Sequence, residues 1–143
     1  MSGFLLDVNV LISLVDPTHS HHERAHDWFA ETGMHDWMSS PTTQNGVLRI
    51  VSNPGYPNNH TPAIVAASLL SLCRVGSHRF VADRISLIEA HSVSMPAILS
   101  HSQVTDSYLL AVAQDHDAVL ATFDRRLVTT AVSGGGSLVA QIP

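Results

Sequence analysis

The chain has 143 residues, of which 45% are hydrophobic, enough for one domain with a sizeable core. Its formal net charge of -5 excludes a basic nucleic-acid coat or an anionic-membrane surface, although an acidic site can still approach phosphate through a bound metal. All 7 basic residues are Arg, the side chain suited to bidentate phosphate contacts.

Phe4–Leu6 reads as a short buried strand, followed by helical spacing through Val8, Leu11, Ile12 and Val15. Asp16-Pro17 stops that helix. This apolar opening carries Asp7 and Asn9 and lacks a basic flank, so it is a poor signal peptide. Glu23–Glu31 predicts a second helix with Ala25, Trp28 and Phe29 on its inner face, as core or dimer surface. Trp37–Ser40 predicts a second strand, and Pro41 opens a helix from about Thr42 to Ser52 that Asn53-Pro54-Gly55 breaks.

Ala63–Arg74 predicts an amphipathic helix with Ile64, Ala67, Leu70 and Leu72 apolar. The lone Cys73 forms no intrachain disulfide, which fits a reducing cytoplasm. Arg79–Ala82 predicts a third strand and Ile85–Ala90 a short helix, while Ser92–Ser100 is ambiguous. Asp106–Gln114 is helical, Ala118–Phe123 the clearest strand and Leu127–Val132 a short helix. Ser133–Ser137 is a flexible turn before a last strand, Leu138–Ile142. No apolar stretch reaches the ~18 residues of a membrane span. The alternation predicts a single α/β domain over residues 1–143, with three layers (α/β/α) and a central, mainly parallel sheet of about five strands.

Asp7 and Asp124 each end an apolar run, and ligands bind at the carboxyl ends of parallel strands. Asp106 shares a helix face with Leu109, Leu110 and Ala113 and therefore points toward the packed side, in a first turn that favours negative charge. Gln44 stands in the same relation to Val47, Leu48 and Val51. Asp7, Gln44, Asp106 and Asp124 are thus expected to crowd one edge of the sheet. Carboxylates that close repel, and a Mg²⁺ or Mn²⁺ ion held by Asp7, Asp106 and Asp124 would remove the repulsion and activate water for attack on a phosphodiester.

Two other chemistries fail on context. His22-Glu23-Arg24-Ala25-His26 matches H-E-x-x-H, but its polar flank and the lack of a distant third ligand argue against a zinc protease; a solvated His-rich helix start is the plainer reading. An Asp7 phosphotransferase would need a second acid where Asn9 stands, and the chain has no Lys to steady a phosphoryl group.

The segments Leu6-Asp7-Val8-Asn9-Val10-Leu11-Ile12, Val104-Thr105-Asp106-Ser107-Tyr108-Leu109-Leu110-Ala111-Val112-Ala113 and Leu120-Ala121-Thr122-Phe123-Asp124-Arg125-Arg126-Leu127 resemble, in order and spacing, the acidic motifs of PIN-domain nucleases. Chain size and Thr43-Gln44-Asn45-Gly46-Val47-Leu48-Arg49 resemble most closely the VapC toxins of toxin–antitoxin pairs. The resemblance implies a Mg²⁺- or Mn²⁺-dependent ribonuclease, commonly homodimeric, whose partners are an RNA substrate and a cognate antitoxin. It makes Asp7, Asp106 and Asp124 the metal-site acids, with Asn9 and Thr122 as supporting polar groups. The chain departs from the pattern at Gln44, where many relatives carry Glu, and at Arg126, where some carry a further acid. A degenerate domain that binds RNA or an antitoxin without cleaving is the alternative that these departures leave open. Arg125, Arg126 and Arg49 are candidates for substrate contact, His101 reads as a surface or capping residue, and the Ala63–Arg74 helix is a candidate antitoxin groove.

Overall fold

A computed structural model describes residues 3–143. Its strands are β1 (Phe4–Leu6), β2 (Trp37–Ser39), β3 (His78–Phe80), β4 (Val119–Thr122) and β5 (Val139–Gln141). They form one sheet in the order β3-β2-β1-β4-β5, and every neighbouring pair is parallel. The helices are α1 (Val8–Val15), α2 (His22–Glu31), α3 (Pro41–Val51), α4 (Pro62–Leu72) and α5 (Val104–Asp115).

Alternate side chains of the central strands enter opposite cores, which is why these strands are apolar throughout rather than alternating. Leu6, Trp37 and Ala121 pack with Val10, Leu11, Phe29, Val47 and Leu69 of the α1–α4 layer. Leu5, Met38 and Leu120 pack with Leu109, Leu110 and Ala113 of α5. Trp37 is fully buried, and its indole N–H donates to the Val75 carbonyl at 3.0 Å. Among the described residues no helix is long and apolar enough to cross a membrane.

Local chemistry sets the helix ends. Ser40 and Thr43 form a reciprocal capping box, with the Ser40 N–H donating to Thr43 Oγ1 at 2.9 Å and Pro41 in the first helical position. Thr61 caps α4 ahead of Pro62. The carbonyls at the end of α1 are met by two histidines of α2: His22 Nδ1 lies 2.8 Å from the Ser13 oxygen and His26 Nε2 3.0 Å from that of Leu14. The H-E-x-x-H segment is therefore a clasp between two helices.

Three expectations are corrected. Ile85–Ala90 is a turn closed on the Ser86 carbonyl, too short to nucleate a helix, with Ile85, Leu87 and Ala90 packed under α5. Leu127–Val132 is also non-helical. Its end pairs with the formerly ambiguous stretch, through Ser94 N–H to the Ala131 carbonyl (2.7 Å) and Ser133 N–H to that of Ser92 (2.9 Å). On α4 the buried stripe is Val65, Leu69 and Leu72, whereas Ile64 and Leu70 are 51% and 55% exposed. That helix is apolar nearly all round, so spacing alone does not select its inner face.

The Asp16 that ends α1 also anchors the loop after α3. Its carboxylate accepts from Asn58 Nδ2 (2.8 Å), the Thr18 N–H (3.0 Å), the Thr18 hydroxyl (2.8 Å) and the Tyr56 hydroxyl. Burial pushes this carboxyl up, but the donors outweigh it and hold it at about 2 against an ordinary 3.8. A depressed folded-state value contributes stability that is present above the unfolded value and lost as pH falls through the folded one. Urea unfolding followed by circular dichroism is expected to show stability falling between pH 4 and pH 2. Asp16→Asn flattens that acid limb and lowers stability at pH 7.

Candidate active site

The carboxyl ends of β1 and β4 lie side by side where the chain's direction of travel across the sheet reverses, the place where α/β sheets open a crevice. Asp7 follows β1 directly. Its N–H donates to the Ala121 carbonyl at 3.0 Å, its Oδ1 accepts from the Val8 N–H at 2.8 Å and its Oδ2 from the Thr122 hydroxyl at 2.9 Å. Burial pushes the Asp7 carboxyl up, and the two donors offset this only in part. Thr122 is 1% exposed, and its hydroxyl oxygen also accepts from the Asp124 N–H at 3.0 Å. Asp124 is exposed, with Oδ1 turned back onto the Arg126 N–H at 2.8 Å. Asp106 enters from the first turn of α5, half-buried. Burial, and then the charges of Asp7 and Asp124, push its carboxyl up to about 6. The structure thus brings the three sequence-identified aspartates within electrostatic reach of one another.

Asp7 and Asp106 line a groove of about 630 Å³ together with Asn9, Thr42, Asn45, Arg49 and Thr105. Gln44 is not among its walls. The Gln44 amide donates to Ser39 Oγ at 3.0 Å, and its side chain lies with Leu48, Leu69, Leu70 and Cys73 between α3 and α4. The expectation that Gln44 joins the aspartates is therefore corrected. Thr43, Val47 and Val51 form the buried stripe of α3, which leaves Gln44 and Leu48 on one flank and Thr42, Asn45 and Arg49 on the other. Spacing from an apolar stripe names two flanks and cannot tell which one meets a site.

Asn45 and Thr42 are thus groove residues that the sequence reading missed, and Arg49 and Asn9 line the same groove. Gly46 lets α1 and α3 approach there, since a Cβ would stand 2.9 Å from Val8 Cγ2. Asp83 is a further missed acid. Its Oδ2 accepts from the Thr42 N–H (2.8 Å) and hydroxyl (2.7 Å), while Oδ1 is buried without a partner among the described residues. Its position just past β3, at the same edge as Asp7, was the available signal. Arg125 and Arg126 lie exposed beyond Asp124, and His101 is exposed ahead of α5.

The donor set suits a hard cation. The donors are oxygen, the carboxylates are coupled, and none of the ion pairs among the described residues involves Asp7, Asp106 or Asp124. Among the described residues no three His, Cys, Asp or Glu side chains converge tightly enough to ligate one ion.

The chain matches the PIN domain over residues 4–132. It is 38% identical to ribonuclease VapC44 of Mycobacterium tuberculosis over 130 residues, covering 91% of this chain and 92% of the relative. Ribonuclease VapC39 of the same organism is also 38% identical, over 131 residues, 91% of this chain and 94% of the relative. The chain belongs to the PIN-domain family of VapC ribonucleases. Two solved structures share its fold. Mycobacterium tuberculosis VapC20, described as a sarcin-ricin loop cleaving toxin, aligns with a TM-score of 0.63 at 14% identity, covering 91% of this chain and 96% of that one. PAE2754 of Pyrobaculum aerophilum aligns with a TM-score of 0.58 at 18% identity, covering 91% and 80%. The expected three-layer PIN-like architecture is thereby met.

An acid whose folded-state value is raised destabilises the fold once ionised, above about 6, and carries no such penalty below the unfolded value near 4. Asp106→Asn is therefore expected to raise the metal-free melting temperature by a few degrees at pH 8. At pH 4 the difference disappears in the same thermal scans.

Proposed function

We propose that this VapC-family chain is a Mg²⁺- or Mn²⁺-dependent endoribonuclease, the toxin of a cytoplasmic toxin–antitoxin pair. The observation that carries this reading is the meeting of Asp7, Asp106 and Asp124 at the β1–β4 edge, where Asp106 is half-buried and, among the described residues, no cation pairs with any of the three. The 38% identity to proteins named ribonuclease supports RNA as the substrate. Asp7 and Asp106 would hold the cation, with Asp124 adding charge beside them. The chemistry such an ion supplies is neutralisation of phosphate charge and a lowered pKa for the attacking water.

The chain's own residues do the rest. Thr122 fixes the orientation of Asp7 and the backbone of Asp124. Arg49 and the amides of Asn9 and Asn45 present donors along the groove, suited to the non-bridging oxygens and sugar of a strand laid through it. In the reaction water adds to phosphorus, the opposite P–O bond breaks and the departing oxygen takes a proton. Ile64, Leu70 and Phe80, exposed at 51%, 55% and 61%, support an antitoxin or second-copy contact on the α4–β3 side.

The absence of a closed three-ligand cluster among the described residues favours one second reading, a domain that binds RNA or antitoxin without cutting. Purified antitoxin-free protein is expected to cleave total RNA with Mg²⁺ or Mn²⁺ and to stop with EDTA. Asp7→Asn and Asp106→Asn should lower the rate by roughly 100-fold or more, and Thr122→Val by about 10–100-fold. Mn²⁺ affinity is expected to fall as pH falls, because proton and cation compete for Asp106, whose carboxyl is already raised. No cleavage at millimolar Mn²⁺ establishes the non-cleaving reading instead.

The phase of α3 makes a separate expectation. In calorimetric titrations with Mn²⁺, Asn45→Asp tightens binding, whereas Gln44→Glu leaves it unchanged. A gain from Gln44→Glu would mean that its side chain turns to the aspartates after all.

A further inference from the structure

Beside the carboxylates, on the α2 side of Asp124, a second constellation has no part in the chemistry above. Phe123, between Thr122 and Asp124, carries the His21 ring stacked on it at 4.8 Å between centroids and 23° between planes. The Arg24 guanidinium lies over the same Phe123 ring, 5.0 Å from its centroid. Arg24 Nη1 meets His21 Nδ1 at 2.9 Å, and Arg24 Nε donates to the Pro143 carbonyl at 2.9 Å. Arginine has no acceptor, so Nδ1 of His21 must accept and its ring proton sits on Nε2. Two contacts hold the guanidinium over the phenyl ring, and among the described residues its other N–H donors have no partner. Arg24 is exposed, and so are Arg125 and Arg126, which follow directly in the chain. In a protein of net charge -5, three of the 7 basic residues thus stand on or next to the Phe123-Asp124 segment.

We propose that the His21–Phe123–Arg24 stack is a subsite for single-stranded RNA, taking a phosphodiester that flanks the reacting one. The inference rests on the ribonuclease reading for its substrate. Arg24 offers a preorganised fork and His21 an Nε2–H to one phosphate, while the aromatic pair gives a neighbouring base a surface to stack on. Charge argues for this occupant. The groove of Asp7 and Asp106 repels phosphate unless a cation is bound, so a strand needs a positive hold outside it, and this platform adjoins Asp124, whose charge reaches Asp106.

Fluorescence anisotropy with a labelled single-stranded oligoribonucleotide tests this. The full chain carries Asp106→Asn, so the RNA stays intact and the groove repels it less. Adding Arg24→Gln is expected to weaken binding about fivefold to tenfold and to reduce the slope of log K against log salt by about 0.7, one phosphate contact on a single strand. His21→Phe keeps an aromatic ring on Phe123 but removes both the Nε2 donor and the Nδ1 contact that holds Arg24, so it weakens binding as well. RNA binding unchanged in both variants overturns the proposal, as does an absence of RNA binding by the parent. Loss of binding to an oligoglutamate peptide with RNA binding intact also overturns it, in favour of a protein partner. Parent and variants that bind as expected, in a wild type that cleaves nothing with Mn²⁺, support the subsite and refute only the nuclease reading.

Discussion

One buried hydroxyl holds this site together. Thr122 closes β4, donates to Asp7 at the end of β1 and accepts from the backbone of Asp124, so two strand ends and two acids share a single oxygen. A β-branched residue suits the strand position, and a hydroxyl is the smallest group that both donates and accepts. At 1% exposure no water competes with it. The approach of Asp124 to Asp7 is therefore imposed by the sheet rather than chosen by the carboxylates, which would otherwise separate.

That imposed crowding has to be absorbed elsewhere. Asp106 is carried into it by α5, whose Leu109, Leu110, Val112 and Ala113 are fully buried against the sheet. The helix cannot retreat without opening that core, so the strain remains at the carboxylate, where it shows as a raised proton affinity. Asp83 repeats the pattern on a smaller scale. One of its oxygens ties down the first turn of α3 and the other is buried and, among the described residues, unmatched. Both uncompensated acids lie at the edge where substrate is expected.

Much of this was legible from residue order. Apolar runs ending in Asp marked the strand ends, and the alternation of periods marked the βαβ units. What escaped depended on partners distant in the chain. The first turn of α3 offered Gln44 and Asn45 as neighbours on one spiral, and only the position of Val8 against Gly46 decides which flank faces the acids. On α4 the excess of apolar residues hid the buried stripe. Ala131 and Ser133 pair with Ser94 and Ser92, a long-range contact that no local propensity encodes. His22 and His26 looked like ligands because the spacing that suits a metal also suits two consecutive carbonyls at a helix end.

The parallel sheet has a consequence for how the molecule comes into being. Its central pair joins Leu6 to Ala121, partners separated by nearly the whole chain, and no strand is joined to its neighbour by a hairpin. Such non-local pairing closes slowly and late. During synthesis the first strand leaves the ribosome long before the fourth exists, so Asp7 waits without Thr122 to orient it or Asp124 to crowd it. Until the fourth strand has emerged, the nascent chain therefore has no assembled site beside the machinery made of RNA that is building it.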